Sequence, residues 1–146
     1  WSRPGYLVRR LNQIHYAMFF EECTEQNVTP VQYGILTALS LSPWLDQTAL
    51  AMELGLDRTT TADVLKRLQE KGLIERRTNA LDRRSRQAAI TPEGLRVMGQ
   101  LQDGMLRAQR RLLSPLSVRN QAIFMKLLAT LVEANNQYSR TSLKGL

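Results

Sequence analysis

Residues 46–91 read DQTALAMELGLDRTTTADVLKRLQEKGLIERRTNALDRRSRQAAIT. Asp46 is a capping side chain ahead of a short run, 47–54, in which Leu50, Ala51 and Leu54 share one face. Gly55 supplies the left-handed residue that commonly closes a helix. Asp57 caps a second helix over 58–71, with Gly72 at its end. Residues 73–77 and 87–90 are short strand candidates joined by a turn-rich segment holding Asn79 and Asp82. Helix, tight turn, helix and basic hairpin, in that order, predict a winged helix-turn-helix over 29–91.

The second of these helices divides its residues by face. Val64, Leu65 and Leu68, with Thr61 beside them, point inward, which leaves Arg58, Thr59, Thr60, Asp63, Lys66 and Arg67 outside. A helix that enters the DNA major groove does so N-terminus first. Its leading side chains must be short and able to hydrogen-bond base edges or phosphates, and its positive dipole end faces the phosphates. Taken alone, three threonines are a capping sequence on a solvated helix; a capped helix and a glycine turn upstream reverse that reading. The hairpin tip carries Arg83, Arg84 and Arg86, whose mutual repulsion a polyanion removes. Insertion of one Arg into a narrow minor groove is the use expected, with Asp82 accepting from a neighbouring Arg to fix its direction. The plain alternative is a charge run that keeps the protein soluble.

Long helices flank this unit. Over 5–26, Leu7, Leu11, Ile14 and Met18 recur three and four apart, and Tyr6, Tyr16, Phe19 and Phe20 widen the stripe. Arg9 and Arg10 near its start and Glu21 and Glu22 near its end oppose the helix dipole, so helix stability does not explain them. Thr29-Pro30 starts the next helix, through Val31, Tyr33, Leu36 and Leu39 to a stop near Ser42-Pro43. After the hairpin, Thr91-Pro92 opens a long helix running through Leu95, Met98, Leu101, Met105, Leu106 and Leu112 to Leu113. Ser114-Pro115 breaks it, and Ser117 caps a last helix bearing Ile123, Leu127, Leu128, Leu131 and Val132. Gly99 and Gly104 sit inside the first of these, each costing about 1 kcal/mol relative to Ala. Close helix approach or a bend would explain them.

These terminal helices, 5–28 and 92–146, carry more apolar face than one winged-helix unit can cover, which predicts a twofold homodimer. Its two leading helices would lie one DNA turn, about 34–36 Å, apart on a palindromic operator. The expected class is therefore mainly α with a small β-hairpin wing, one domain over 1–146.

The bulk properties agree. A chain of 146 residues can bury a core. A formal charge of +7 favours polyanions. No apolar run approaches the roughly 20 residues a membrane span needs, and no signal peptide opens the sequence, so a cytoplasmic protein without a membrane partner is expected. A single Cys23 makes no intrachain disulfide and has no cysteine partners for a zinc site. One histidine, and no Ser-His-Asp order, H-E-x-x-H, phosphate loop or paired carboxylates, argue against an enzyme and give no reason to expect a cofactor.

The run from Asp57 through Leu73-Ile74, the Asp82-Arg83-Arg84-Ser85-Arg86 tip and Ile90-Thr91-Pro92-Glu93-Gly94 resemble the MarR family of bacterial transcription regulators over nearly the whole chain. The opening GYLVRRLNQIHYAMFFEEC and TPVQYGIL are similar to the branch that responds to aromatic acids or their coenzyme A thioesters. The resemblance implies a homodimeric winged-helix repressor, released when a small, often phenolic, ligand binds. Carried over by position, it makes Arg58, Thr59, Thr60, Asp63 and Arg67 the groove-reading residues, and Arg84 the minor-groove residue oriented by Asp82. Asp63 departs from the basic or small polar residue many members have there. It can accept from a cytosine amine but repels phosphate.

A ligand would sit between the helical lobe and the DNA lobe. His15, with Tyr16, Phe19 and Tyr33 near it, is the candidate polar handle in an apolar pocket. Arg10 would pair with a carboxylate, and Arg3 and Arg9 with coenzyme A phosphates. The alternatives are a structural His15, and core roles for Tyr33 and Trp44. Two rival functions are a redox response through Cys23, disfavoured because Glu21, Glu22 and Glu25 would raise its pKa, and a winged helix used for protein–protein contact.

Overall fold

The computed structural model describes residues 1–139. Six helices and three short strands follow in the order α1 (Pro4–Glu22), α2 (Pro30–Leu41), β1 (Leu45–Asp46), α3 (Gln47–Leu54), α4 (Arg58–Glu70), β2 (Ile74–Thr78), β3 (Arg86–Ile90), α5 (Pro92–Leu113) and α6 (Val118–Ala134). The expected stretch 92–146 ends in residues, Lys144 among them, that lie outside those described.

Local chemistry sets the boundaries. Thr29 and Gln32 form a reciprocal capping box at α2, at 3.2 and 3.1 Å. The Asp46 carboxylate accepts from the Ala49 amide at 2.8 Å, and Asp57 accepts from the Thr60 amide at 2.8 Å. Thr91 and Ser117 cap α5 and α6 in the same way. Gly55 and Gly72 take φ +62° and +70°, left-handed values open to glycine at little cost, and close α3 and α4.

Two expectations need correction. The first helix ends at Glu22, not at residue 26. Cys23 turns inward and is 4% exposed, and Asn27 adopts a left-handed φ of +46° that sends the chain into Val28, which is fully buried. The hairpin is also not alone. Leu45 and Asp46 pair antiparallel with Ala88 and Gln87, so β3 is the middle strand of a three-stranded sheet ordered β1-β3-β2. A two-residue strand is too short to show a period in sequence.

The core gathers α2, α3, α4, the sheet and the inner side of α5: Val28, Ile35, Leu36, Leu39, Leu50, Leu65, Leu68 and Ile74 are almost wholly buried. Thr61 joins them; its hydroxyl donates to the Asp57 carbonyl at 2.8 Å, so burial leaves it satisfied. α5 buries Gly94, Val97, Leu101, Gly104 and Ala108; of the expected series Leu101 is buried, Met98 and Met105 pack half-buried against the core, and Leu95 is 46% exposed. Gly104 owes its identity to close approach. A Cβ there would stand 2.5 Å from the Glu22 carbonyl and 2.9 Å from the Cys23 sulfur. Gly99 would meet nothing within 4 Å, and packing within the chain does not explain it.

Glu21 and Glu22 acquire a role here as well. Arg107 on α5 reaches Glu22 at 2.8 Å and Arg111 pairs with both glutamates, tying the end of α1 to α5. The outer faces of α1 and α6 remain uncovered. Leu7, Val8, Ile14 and Phe20 on α1 are 41–58% exposed, and none of α6's residues, all of them described, is buried.

Candidate nucleic-acid interface and effector cavity

α3 and α4 are held together at their leading ends, where the Gln47 side-chain amide donates to the Arg58 carbonyl at 3.2 Å. Arg58, Thr59, Thr60, Asp63, Lys66 and Arg67 all lie on the exposed side of α4. The Thr60 hydroxyl is already engaged, donating to the second Asp57 oxygen at 2.8 Å, which leaves it acceptor capacity toward a groove. Lys66 stands 3.9 Å from Glu70 with both side chains well exposed, a pair worth little in water.

The wing tip is built from two side-chain-to-backbone turns. The Asn79 carbonyl oxygen of the side chain accepts from the Leu81 amide at 2.9 Å, and the Asp82 carboxylate accepts from the Arg84 amide at 3.0 Å. The Asp82 main-chain carbonyl takes the Ser85 amide at 2.9 Å. Asp82 therefore shapes the backbone on which Arg84 rides through the Arg84 amide and not through its guanidinium, contrary to the direct orientation expected.

Between the start of α4 and the wing lies an open cleft of about 790 Å³. Arg58 from α4 and Asp82, Arg84 and Arg86 from the wing line it, with Asp46, Gln47 and Thr48 from the start of α3. Three cations thus face one concave surface. Thr59, Thr60, Asp63, Lys66 and Arg67 are exposed along α4 outside the cleft lining, and Arg83 stands exposed on the turn. Gln47 and Thr48 were not foreseen; polar residues directly after the Asp46 cap were the available signal. The reach of β1 into the sheet brings them to the cleft.

A second concavity, about 320 Å³, opens among α1, α2, α3 and α5. His15 and Phe19 come from α1, Tyr33, Thr37, Ala38 and Leu41 from α2, Glu53 and Leu54 from α3, and Met105 and Gln109 from α5. Of the five residues expected to bind a ligand, His15, Phe19 and Tyr33 meet here. Phe19 packs edge-to-face on Tyr33 with centroids 6.3 Å apart. Tyr16 lies beside the cavity with its ring edge-on to His15 at 5.9 Å. Arg10 is outside it and donates to the Gln13 side chain at 3.2 Å. Burial pushes the Tyr33 phenol above its ordinary value, against a bond with Thr37, so it stays protonated. Glu53, Thr37 and Gln109 are polar wall residues that sequence spacing did not bring to His15.

Cys23 is buried and donates weakly to the Leu101 carbonyl at 3.9 Å. Burial is the main cause that raises its pKa; Arg107 opposes this and Glu22 adds to it. A buried, protonated thiol is a poor oxidant sensor. The acidic neighbours held responsible from the sequence are a smaller cause than burial, and Glu21 and Glu25 are not among the causes.

A three-stranded wing beside a capped helix pair, with arginines on their shared concave face, defines a winged-helix DNA-binding protein. The model of the MarR family matches residues 26–85. A Thauera aromatica protein assigned as transcriptional regulatory protein for the hcr operon is 32% identical over 134 residues, spanning 91% of this chain and 81% of the relative. The structure of the Streptomyces coelicolor PcaV transcriptional regulator in complex with its natural ligand superposes with a TM-score of 0.84 at 36% identity, covering 91% of this chain and 94% of that one. The transcriptional repressor CouR bound to a 23-mer DNA duplex gives 0.82 at 26% identity, over 90% and 93%. The chain belongs to the MarR family of transcription regulators. Its relatives regulate transcription and are not enzymes. Among the described residues no helix is long and apolar enough to cross a membrane.

Proposed function

We propose that this protein is a homodimeric repressor that binds a palindromic operator and is released by a small aromatic acid. The observation that carries the DNA reading is the cleft that sets Arg58 against Arg84 and Arg86. The leading turn of α4 enters the major groove with Arg58, Thr59 and Thr60, while Asp63, Lys66 and Arg67 follow along it. The wing lays Arg84 into the adjacent minor groove, with Arg83 and Arg86 on the flanking phosphates. CouR, bound to a duplex, shares the fold.

The homodimer reading rests on the uncovered faces of α1 and α6. Ile123, Leu127 and Leu131, four residues apart, are 45%, 58% and 61% exposed, an apolar stripe that needs a second surface. The organisation that goes with it has α1, α5 and α6 for pairing and residues 29–91 for DNA.

The effector reading rests on the second cavity. A space of about 320 Å³ walled by Phe19, Tyr33, Leu54 and Met105 suits a single aromatic ring. His15 is the wall residue whose ring nitrogen can donate to a carboxylate; Thr37, Glu53 and Gln109 suit ring hydroxyls. Arg10, outside the cavity, is not needed for that pairing. A coenzyme A thioester would have to leave its nucleotide outside. Release requires that the ligand bind the off-DNA arrangement better, since equal affinity for both states shifts nothing.

The test is anisotropy titration of a duplex selected by the protein from a random pool. Affinity should fall steeply with salt, and Arg84→Ala should lower it about tenfold while reducing the salt slope by about one. Adding benzoic and hydroxybenzoic acids should release the duplex, and their thioesters should be weaker. Salt-independent binding would support a protein-contact module instead. No response to any of the acids would remove the effector reading.

A further inference from the structure

The sheet that carries the wing is held across its face by one side chain. Arg77 lies on β2, one edge of the sheet, and Trp44 stands immediately before β1, the other edge. The Arg77 guanidinium nevertheless sits over the Trp44 ring, 3.6 Å from its centroid. On the way it crosses β3, where its Nε donates to the Gln87 side-chain oxygen at 3.3 Å. Gln87 is the residue paired with both Arg77 and Asp46, so the bond lies on the row that spans all three strands. Trp44 meets the guanidinium from a left-handed backbone, φ +64°, a region bulky side chains rarely adopt.

The sheet has reason to need such a strap. A two-stranded ribbon is marginal by itself, and β1 contributes only two residues of pairing. Arg84 and Arg86 ride at the far end of that ribbon. Their place relative to Arg58 depends on how the ribbon is set against the end of α2, Leu41, three residues before Trp44. A guanidinium over an indole face supplies the attraction, and a bond to Gln87 fixes its direction.

We propose that the Trp44–Arg77 stack, bridged by Gln87, is a strut that positions the wing, so that Arg77 acts on DNA binding through Trp44 and not by touching a phosphate. The DNA part of this rests on the function proposed above; the strut itself does not.

Two measurements test it on the full chain. In the free protein, hydrogen exchange of the amides in Ile74–Thr78 and Arg86–Ile90 should speed up about tenfold in Trp44→Leu and in Arg77→Met. Trp44→Phe, which keeps an aromatic face, should hold exchange near the parent rate. On the selected duplex, each single variant should bind about fivefold more weakly with the salt slope unchanged, and the double variant no more weakly than either alone. Unaltered wing exchange in Arg77→Met, an exposed position where misfolding is not at issue, overturns the strut. So does additive loss in the double variant. A salt slope reduced by about one in Arg77→Met alone would make Arg77 a phosphate contact. Parent protein that ignores duplex DNA at low salt defeats the DNA-binding proposal, and the exchange arm still decides the strut.

Discussion

α5 and α6 are neighbours in sequence, both amphipathic and both capped by a hydroxyl, yet they are used in opposite ways. α5 buries its small residues, Gly94, Gly104 and Ala108, together with Val97 and Leu101, against the rest of the chain. None of α6's residues is buried, although it carries as many large apolar side chains as α5 on a shorter helix. Small residues let backbones approach, and a helix that meets backbone must give up bulk where it does so. Large exposed residues at four-residue spacing do the reverse: they leave an apolar surface that the other described residues do not cover. Side-chain size along the stripe thus separates a helix packed within its own chain from one that, in the dimer proposed above, would meet a second copy.

The widest separation between the two helices should come from Leu127→Glu. The side chain is 58% exposed, so a carboxylate there costs the single chain little. In a dimer seam it would be buried unpaired. The expected result is a monomer by light scattering, an unchanged circular dichroism spectrum, and operator affinity down about 100-fold or more as the two half-sites lose their linkage. A variant that stays dimeric would place the second surface elsewhere.

The mirror experiment is on α5. Gly94→Ala sets a Cβ 2.1 Å from the Leu73 carbonyl, and Gly104→Ala sets one 2.5 Å from the Glu22 carbonyl; in each case backbone must yield. Each should cost about 2–4 kcal/mol in denaturant melts. If they cost less than 1 kcal/mol, α5 is not closely packed and the contrast with α6 fails.

Much of this was legible from residues that act locally. Asp46, Gly55, Asp57, Gly72, Thr91 and Ser117 mark boundaries through their own backbone bonds, and all six do so in the structure. What escaped was non-local. β1 exists only because Ala88 and Gln87 lie beside Leu45 and Asp46, and no period in two residues could announce it. On α5, Leu101 of the apolar series is buried and Met98 and Met105 pack against the core, but apolar size does not announce the burial of Gly94, Gly104 and Ala108. Asp82 was expected to hold a guanidinium, but its short side chain closes on the Arg84 amide two residues away. At the cavity, His15, Phe19 and Tyr33 were picked by their chemistry, whereas Glu53 and Gln109 reach it from helices whose approach the sequence does not state.

A smaller effect of opposite sign belongs to Gly99. Its added Cβ meets open space, so Gly99→Ala should gain about 1 kcal/mol, a rise of about 2–4 °C in melting temperature. A loss at this position, with the gain absent only at concentrations where the protein is dimeric, would show that Gly99 faces the second chain.

The smallest effect expected is at Cys23, where α1 ends against α5. Burial raises this thiol's pKa, so the folded state favours the protonated form. Its contribution is full below the unfolded value and is lost as pH rises through the folded one. Between pH 6 and 8 the thiol is protonated in both states, and neither stability nor operator affinity should depend on it. Peroxide should leave DNA binding unchanged, and maleimide should label Cys23 only at the rate of opening, accelerating with denaturant. Rapid labelling at neutral pH, with loss of DNA binding restored by a reductant, would mean that the end of α1 parts readily from Leu101 and Gly104. The close packing credited to α5 would then be a property of one state only, and Cys23 its sensor.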